Sequence, residues 1–380
     1  MAATTHVGSI KKHFRHLPDP RVVGRTRHLL IDIVVIAICA VIADCDDWSD
    51  IAQFAQKREA WFRRFLKLPG GLPSHDTLGR VFAALDSRAF QRCCLDWFRA
   101  LADLMGIGHL AIDGKTLRGS AGAKLGPLHV VSAWATQAHL SLGQVAVDKK
   151  SDDITAIPQL LELLDLHGVL VTIDAMGCQK EIARRVVDGG GDYVLAVKGN
   201  QGHLLEDIQA TVAPALDGKL GAAVVSEYAT QEQGHGRQEE RYYVVIHDVD
   251  GLRDRQAWPG ATSVGMCCCE RAVAGEVSSE VHYFIGSRRM GARRYGQVLR
   301  QHWGIENNLH WQLDISFGED QSRIQEPHAA ENFGLLRKIA LSLLKRNPSK
   351  KSIARKRKAA ALDTAFLEEI VAGAANVERI

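Results

Sequence analysis

Between residues 109 and 198 the apolar pattern changes period repeatedly, and that succession constrains the fold more than any other feature. HLAID (109–113) reads as a short buried strand, and PLHVVSAWAT (127–136) and LSLGQVAVD (140–148) as two more joined by a short turn. ITAIPQLLELLDL (154–166) has helical spacing. GVLVTID (168–174) is a strand rich in β-branched residues, CQKEIARRVVD (178–188) a helix closed by glycines, and DYVLAVK (192–198) a fifth strand. The order β-β-β-α-β-α-β specifies an α/β domain with a mixed sheet.

The flanking segments have other periods. Residues 29–43 are apolar almost all round, as in a buried helix, and 48–66 carry Ile51, Phe54, Ala55, Trp61, Phe62 and Phe65 at helical spacing. LPGGLPSHDT (68–77) interrupts them, after which Asp76 is expected to cap a helix over 77–85, with another over 87–105. From 221 to 286 four strands alternate with polar turns, followed by helices expected over 292–313 and 329–345. The expected organisation is a helical N-terminal domain (1–105), a catalytic α/β domain (106–202 and 291–345) interrupted by a β-rich insertion (203–290), and a basic tail (346–380).

The composition, 46% hydrophobic and 24% charged, is that of a folded globular chain and excludes disorder as the dominant state. The eight cysteines show no CxxC spacing and mostly sit in apolar stretches, which favours small buried hydrophobes in a reducing compartment over a zinc ribbon or a disulfide frame. The longest uncharged apolar run, 33–43, falls short of the ~20 residues that span a bilayer, and no secretory h-region follows the N-terminal charges. A cytoplasmic location with no membrane partner is expected.

Two aspartates stand out, because Asp113 closes HLAID and Asp174 closes GVLVTID. A carboxylate at the end of an apolar strand is costly unless it is paired, hydrogen-bonded or bound to a cation. One such Asp reads most simply as a cap; two on one sheet point to a shared cation. The third candidate is Glu306 in RQHWGIENNLHWQLD, where His302, Glu306 and His310 fall at i, i+4 and i+8. Its bland reading is a solvated Glu, and a His-Glu-His zinc site is a rival. Asp314, Glu319 and Asp320 lie just beyond as alternative ligands. Three carboxylates make a hard-oxygen set suited to Mg²⁺ or Mn²⁺, and two such ions support phosphoryl transfer. A meander with the first Asp, a later strand with the second and a C-terminal helix with the Glu describe a ribonuclease-H-like core.

AIDGKTLRGS, VTIDAMGCQ, YVLAVKGNQ and HWGIENNLHWQLDISFGEDQSRI resemble the H-repeat-associated transposases, bacterial insertion-sequence enzymes of the DDE class. DPRVVGRTRHLLIDIVVIAICAVIADCDDW and LPSHDTLGRVFAALD resemble the helical domain that precedes the catalytic domain in that group. The resemblance covers residues 15–345. It implies an RNase-H-like mixed sheet with a β-rich insertion, an all-α N-terminal domain expected to bind DNA ends, and a DDE triad of Asp113, Asp174 and Glu306. It further implies two Mg²⁺ or Mn²⁺ ions, DNA ends and target DNA as partners, and a homodimer in the active complex. The alternatives are an RNase-H-like nuclease without strand transfer and a silent DNA-binding remnant. The wider signature departs here: Tyr295 and Arg300 precede Glu306 at a different spacing, and Leu313 stands where many relatives have Lys.

Basic patches suit a nucleic-acid substrate. Arg288, Arg289, Arg293, Arg294 and Arg300 precede Glu306 with no acidic residue among them. Lys198 follows the fifth strand, and Arg237 lies in GHGRQEER, which reads either as a tight turn or as a DNA contact. The run 345–358 and the first thirty residues are further basic stretches. Gly114-Lys115-Thr116 imitates the end of a P-loop, but the first glycine of that motif would fall on His109, so no NTP is expected.

Overall fold

The computed structural model describes residues 10–22, 24, 26–102, 107–121, 126–147, 153–219, 225–234, 236–273 and 276–372. By internal packing the chain divides into two units. One comprises Met1–Ile107, Gly114–Asp148 and Glu306–Ile380, and the other Gly108–Asp113 and Lys149–Ile305.

In the first unit the apolar run becomes the helix Leu30–Ile42, buried at every position except Ile31. Its one carboxylate, Asp32, accepts the Leu68 N–H at 2.9 Å, which offsets the cost of burying the charge. The expected helix over 48–66 is two pieces, Trp48–Lys57 and Glu59–Phe62. The next helix, His75–Ala84, starts earlier than expected, and its N-cap is Ser74 rather than Asp76. Ser74 has extended backbone and accepts the Thr77 N–H at 3.3 Å, whereas Asp76 already lies within the first turn. The following helix is Ser87–Ala102; residues 103–106, where it was expected to end, lie outside the described residues.

The spine of this unit is the helix Pro327–Arg346, opened by Pro327 and by Glu326, which accepts the Ala329 N–H. It packs on Leu30–Ile42, His75–Ala84 and Ser87–Ala102. Trp48 stacks on Phe82 at 5.0 Å and meets Phe333 edge-on at 4.8 Å, while Asn332 donates to the carbonyls of Phe82 and Leu85. The chain then continues as the helices Ile353–Leu362 and Thr364–Ala372.

The strands are β1 (His109–Leu117), β2 (Leu128–Ala135), β3 (Leu140–Val147), β4 (Leu170–Ile173), β5 (Asp192–Val197), β6 (Val225–Gly234), β7 (Arg237–Ile246), β8 (Ser263–Val273) and β9 (Glu276–Gly286). They form one mixed sheet in the order β3-β2-β1-β4-β5-β9-β8-β7-β6. The β3-β2-β1-β4-β5 portion has the RNase-H-like arrangement, with β2 antiparallel to β3 and β1, β4 and β5 parallel. Within the second unit β9 pairs antiparallel to β5, so the β-rich insertion extends the core sheet instead of standing apart from it. The β6–β7 turn places Gly236 at φ 72, as the tight-turn reading of GHGRQEER requires; His235 lies outside the described residues.

The helix Ala292–His302 packs its Ala292, Tyr295 and Val298 face on Leu170, Val194, Tyr243 and Phe284. Gly296 allows this close approach, since a Cβ there would come within 3.0 Å of the Tyr243 ring. All eight cysteines are free thiols. Among the described residues no helix is long and apolar enough to cross a membrane.

Candidate active site

Parallel pairing of β1 and β4 ends at Ile112 opposite Ile173, both buried. Asp113 and Asp174 are the next residues. Asp174 follows the end of β4, whereas β1 runs on to Leu117, so Asp113 lies within β1 and does not close it as expected. The two half-buried carboxylates stand just past the β1–β4 pairing on neighbouring strands ~4.8 Å apart. Asp174 Oδ1 accepts the Gly177 N–H at 3.2 Å, which holds the turn after β4. Among the described residues Asp174 forms no ion pair with Lys or Arg. This donor chemistry, hard oxygens just past the β1–β4 pairing without a neutralising cation on Asp174, fits a divalent cation.

Behind the aspartates runs a buried polar chain that the sequence did not reveal. His109 Nε2 lies 2.8 Å from Thr172 Oγ1, and Thr172 Oγ1 lies 2.9 Å from His302 Nδ1. His109 Nδ1 also meets Gln301 Oε1 at 3.2 Å. One hydroxyl on β4 therefore ties the start of β1 to the end of the helix Ala292–His302. Burial pulls both imidazoles down to about 4, against which the Asp174 charge only partly supports protonation of His302. With Nδ1 engaged by Thr172, His302 is part of this chain, which weakens the zinc rival.

The expected continuous helix over 292–313 is broken. It stops at His302, and Glu306–His310 forms a π turn that leads into the helix Trp311–Phe317. Single π turns recur at functional sites because the extra residue re-aims the side chains around it. Here Glu306 is 70% exposed, while His310 Nδ1 lies 3.6 Å from Glu306 Oε2. Hydrogen bonding from His310 holds the Glu306 carboxyl below its usual range, with Lys115 adding to the effect.

Lys115 has a structural partner set in place of any phosphate. Its Nζ donates to Asp314 Oδ1 at 2.5 Å and to Glu319 Oε2 at 2.7 Å. Glu319 is fully shielded; burial alone would raise its pKa, but Lys115, Arg337 and Lys338 together hold it below the ordinary value. Lys338, pulled down to about 8 by burial, donates to Ser132 and Gln144. Asp314 and Glu319 are thus committed to a lysine, which argues against either replacing Glu306 as a ligand. Lys115 follows Asp113 by two positions on β1, and that spacing was the only trace of this role in the sequence.

The transposase DDE domain model matches residues 105–343, and its associated N-terminal model matches residues 11–98. The chain belongs to the DDE transposase family. It is 39% identical to "Putative transposase YncI" of Escherichia coli O157:H7 over 96% of this chain and 95% of that one. It is 36% identical to "H repeat-associated putative transposase YhhI" of Escherichia coli K12, over 96% and 98% of the two chains. A shorter relative in the same strain, "Inactive transposase YbfQ", is 35% identical over 19% of this chain and 89% of its own length.

The basic residues of this DDE family member fall into two groups. Arg288 Nε donates to Asp192 Oδ2 at 2.7 Å, Arg300 pairs with Glu232, and Arg237 lies 3.3 Å from Glu239. Arg289, Arg293, Arg294 and Lys198 are exposed. Arg293 lies over the Tyr228 ring at 5.7 Å, and Arg294 donates to Gln297 at 3.3 Å, so neither is bound to a carboxylate in these contacts. In the basic stretch 345–358, Lys356 and Arg357 are buried. Lys356 donates to the carbonyls of Leu344 and Asn347, and Arg357 binds Asp46 and the Val41 carbonyl above the Phe317 ring. A run of like charge had suggested a phosphate-binding tail; two of its members serve instead to fasten helices.

Proposed function

We propose that the chain is a DNA transposase that hydrolyses the strand at insertion-sequence ends and then joins the freed 3′-hydroxyl to target DNA. Asp113, Asp174 and Glu306 are the proposed catalytic residues and the ligands of two Mg²⁺ or Mn²⁺ ions. The observation that carries this reading is the pair of aspartates one step beyond Ile112 and Ile173 on adjacent parallel strands. When bound, the ions supply an activated oxygen nucleophile and stabilise the leaving oxygen. The protein's own part is placement: strand pairing fixes both aspartates, and the Thr172 hydroxyl secures β4 from behind. Exposed Arg289, Arg293, Arg294 and Lys198 hold the DNA backbone through phosphate contacts. The proposed active complex is a homodimer on DNA.

Cleavage of a duplex carrying the element's end tests the reading. Mg²⁺ or Mn²⁺ should support nicking and joining, and Ca²⁺ should support binding alone. Full cleavage after exhaustive EDTA treatment would overturn the metal assignment. Cleavage without joining would favour a nuclease of the same fold.

A further inference from the structure

The run Cys267-Cys268-Cys269 lies in β8, where the strand's alternation sends Cys268 to one face and its two neighbours to the other. Cys267 and Cys269 share the face covered by the helix Ala292–His302, Cys267 buried and Cys269 half-buried, and their sulfurs lie 3.4 Å apart. His282 of β9 stands opposite Cys267, while Arg241 of β7 and Glu280 of β9 stand opposite Cys269. Arg241 is 5% exposed and bound to Glu239, yet its Nε and Nη1 make no hydrogen bond among the described residues, Nη1 lying 3.4 Å from a Glu232 oxygen. Glu280 is turned to water, with one oxygen 3.4 Å from His282 Nε2. A cavity of about 70 Å³ opens on the same face, with Cys267, Arg241, Tyr243, His282, Leu299 and Trp303 in its walls. The hydrogen bond from Cys267 holds the Cys269 thiol well below its ordinary value; burial opposes this, and His282 and Arg241 support it. The same bond, with burial, pushes Cys267 up. Burial pushes Cys39, Cys45 and Cys178 up to about 12, so those thiols are inert.

We infer that Cys267 and Cys269 form a reversible redox modification site, at which a hydroperoxide oxidises Cys269 and Cys267 then closes a disulfide with it. The Cys269 thiolate attacks one peroxide oxygen; an S–O bond forms, the O–O bond breaks, and the leaving hydroxide takes up a proton as water. Cys269, now a sulfenic acid, has lost two electrons to the peroxide. The Cys267 sulfur then attacks the Cys269 sulfur, an S–S bond forms, and the hydroxyl leaves with the Cys267 proton as a second water. Two thiols and one hydrogen peroxide thus give one disulfide and two waters. Two positions along a strand separate the Cα atoms by ~6.6 Å, close to the upper limit of about 6.8 Å for a disulfide. The bond therefore closes at the edge of its permitted geometry and is readily reduced again.

The test uses the reduced full chain in EDTA, without DNA, treated with equimolar hydrogen peroxide and sequenced by mass spectrometry. The wild type and Cys268→Ser should each lose two hydrogens between Cys267 and Cys269 and regain them with dithiothreitol. Cys267→Ser should stop at the sulfenic acid, trapped by dimedone on Cys269, and Cys269→Ser should oxidise ~10-fold more slowly or less. Independently of any variant, iodoacetamide should label Cys269 of the folded wild type ~10-fold faster than Cys268 at pH 7. Equal labelling of the two thiols would overturn the inference. So would a dimedone adduct on Cys268 in preference to Cys269, or a Cys269→Ser chain that consumes peroxide as fast as the wild type.

Discussion

Lys115 Nζ stands 2.7 Å from Glu319 Oε2, with both side chains almost wholly shielded from water. Replacing Lys115 by Met leaves Glu319 buried beside Arg337 at 3.9 Å and Lys338. Breaking a buried pair from one side costs about 3–5 kcal/mol, so urea unfolding of Lys115→Met should show a loss of that size. The folded Glu319 carboxyl lies below its unfolded value. Its contribution is therefore present above the unfolded carboxylate pKa and disappears as pH falls through the folded one. A loss under ~1 kcal/mol for Lys115→Met would show that Glu319 does not depend on this lysine.

The paired imidazoles of His109 and His302 set a second pH dependence. Both are pulled down to about 4, below the ordinary value near 6.5, so the unfolded chain takes up protons in that window and the folded chain does not. Stability should fall as pH drops from about 6.5 towards 4. His109→Gln should remove on the order of 1–2 kcal/mol of the difference between pH 7 and pH 5. Equal pH slopes in the wild type and the variant would contradict this.

Arginines of different burial should give opposite phenotypes. Arg357 is 1% exposed and lies 4.1 Å above the Phe317 ring centre, so Arg357→Gln should lower stability by about 3 kcal/mol without altering the salt slope of DNA binding. Changing Arg289, Arg293 and Arg294 together to Gln should leave the melting temperature level and reduce the slope by up to ~0.9 per residue. Thermal melts and salt titrations on the two variants decide it, and matching phenotypes would contradict the division.

The strands were legible because each is an apolar run bounded by turn residues; GVLVTID and DYVLAVK became β4 and β5, and Asp174 fell just past the end of β4, whereas the strand begun by HLAID runs on to Leu117 and leaves Asp113 inside β1. The break between His302 and Glu306 was hidden, since the apolar positions Leu299, Leu309 and Leu313 keep a helical rhythm across a π turn. Likewise Lys115 gave no sign that it would meet Asp314 and Glu319, because those partners are some two hundred residues away. The run 345–358 misled for a related reason: charge is visible in sequence, but the Val41 carbonyl and Asp46 that receive Arg357 come from the far end of the chain.

The central claim is that Asp113, Asp174 and Glu306 do the chemistry, and near-isosteric substitution addresses it most directly. Asp174→Asn and Glu306→Gln each remove one negative charge with little change in shape. Nicking of an end-bearing duplex is measured on both in Mg²⁺, with melting temperature and DNA affinity on the same samples. If these carboxylates hold catalytic cations, each change abolishes nicking while folding and binding survive, and affinity stays level or rises as repulsion of the phosphates is relieved. A variant that melts ~1–3 kcal/mol less stably yet still cuts in proportion to its folded fraction would mean that these residues are structural and that the catalytic groups lie elsewhere.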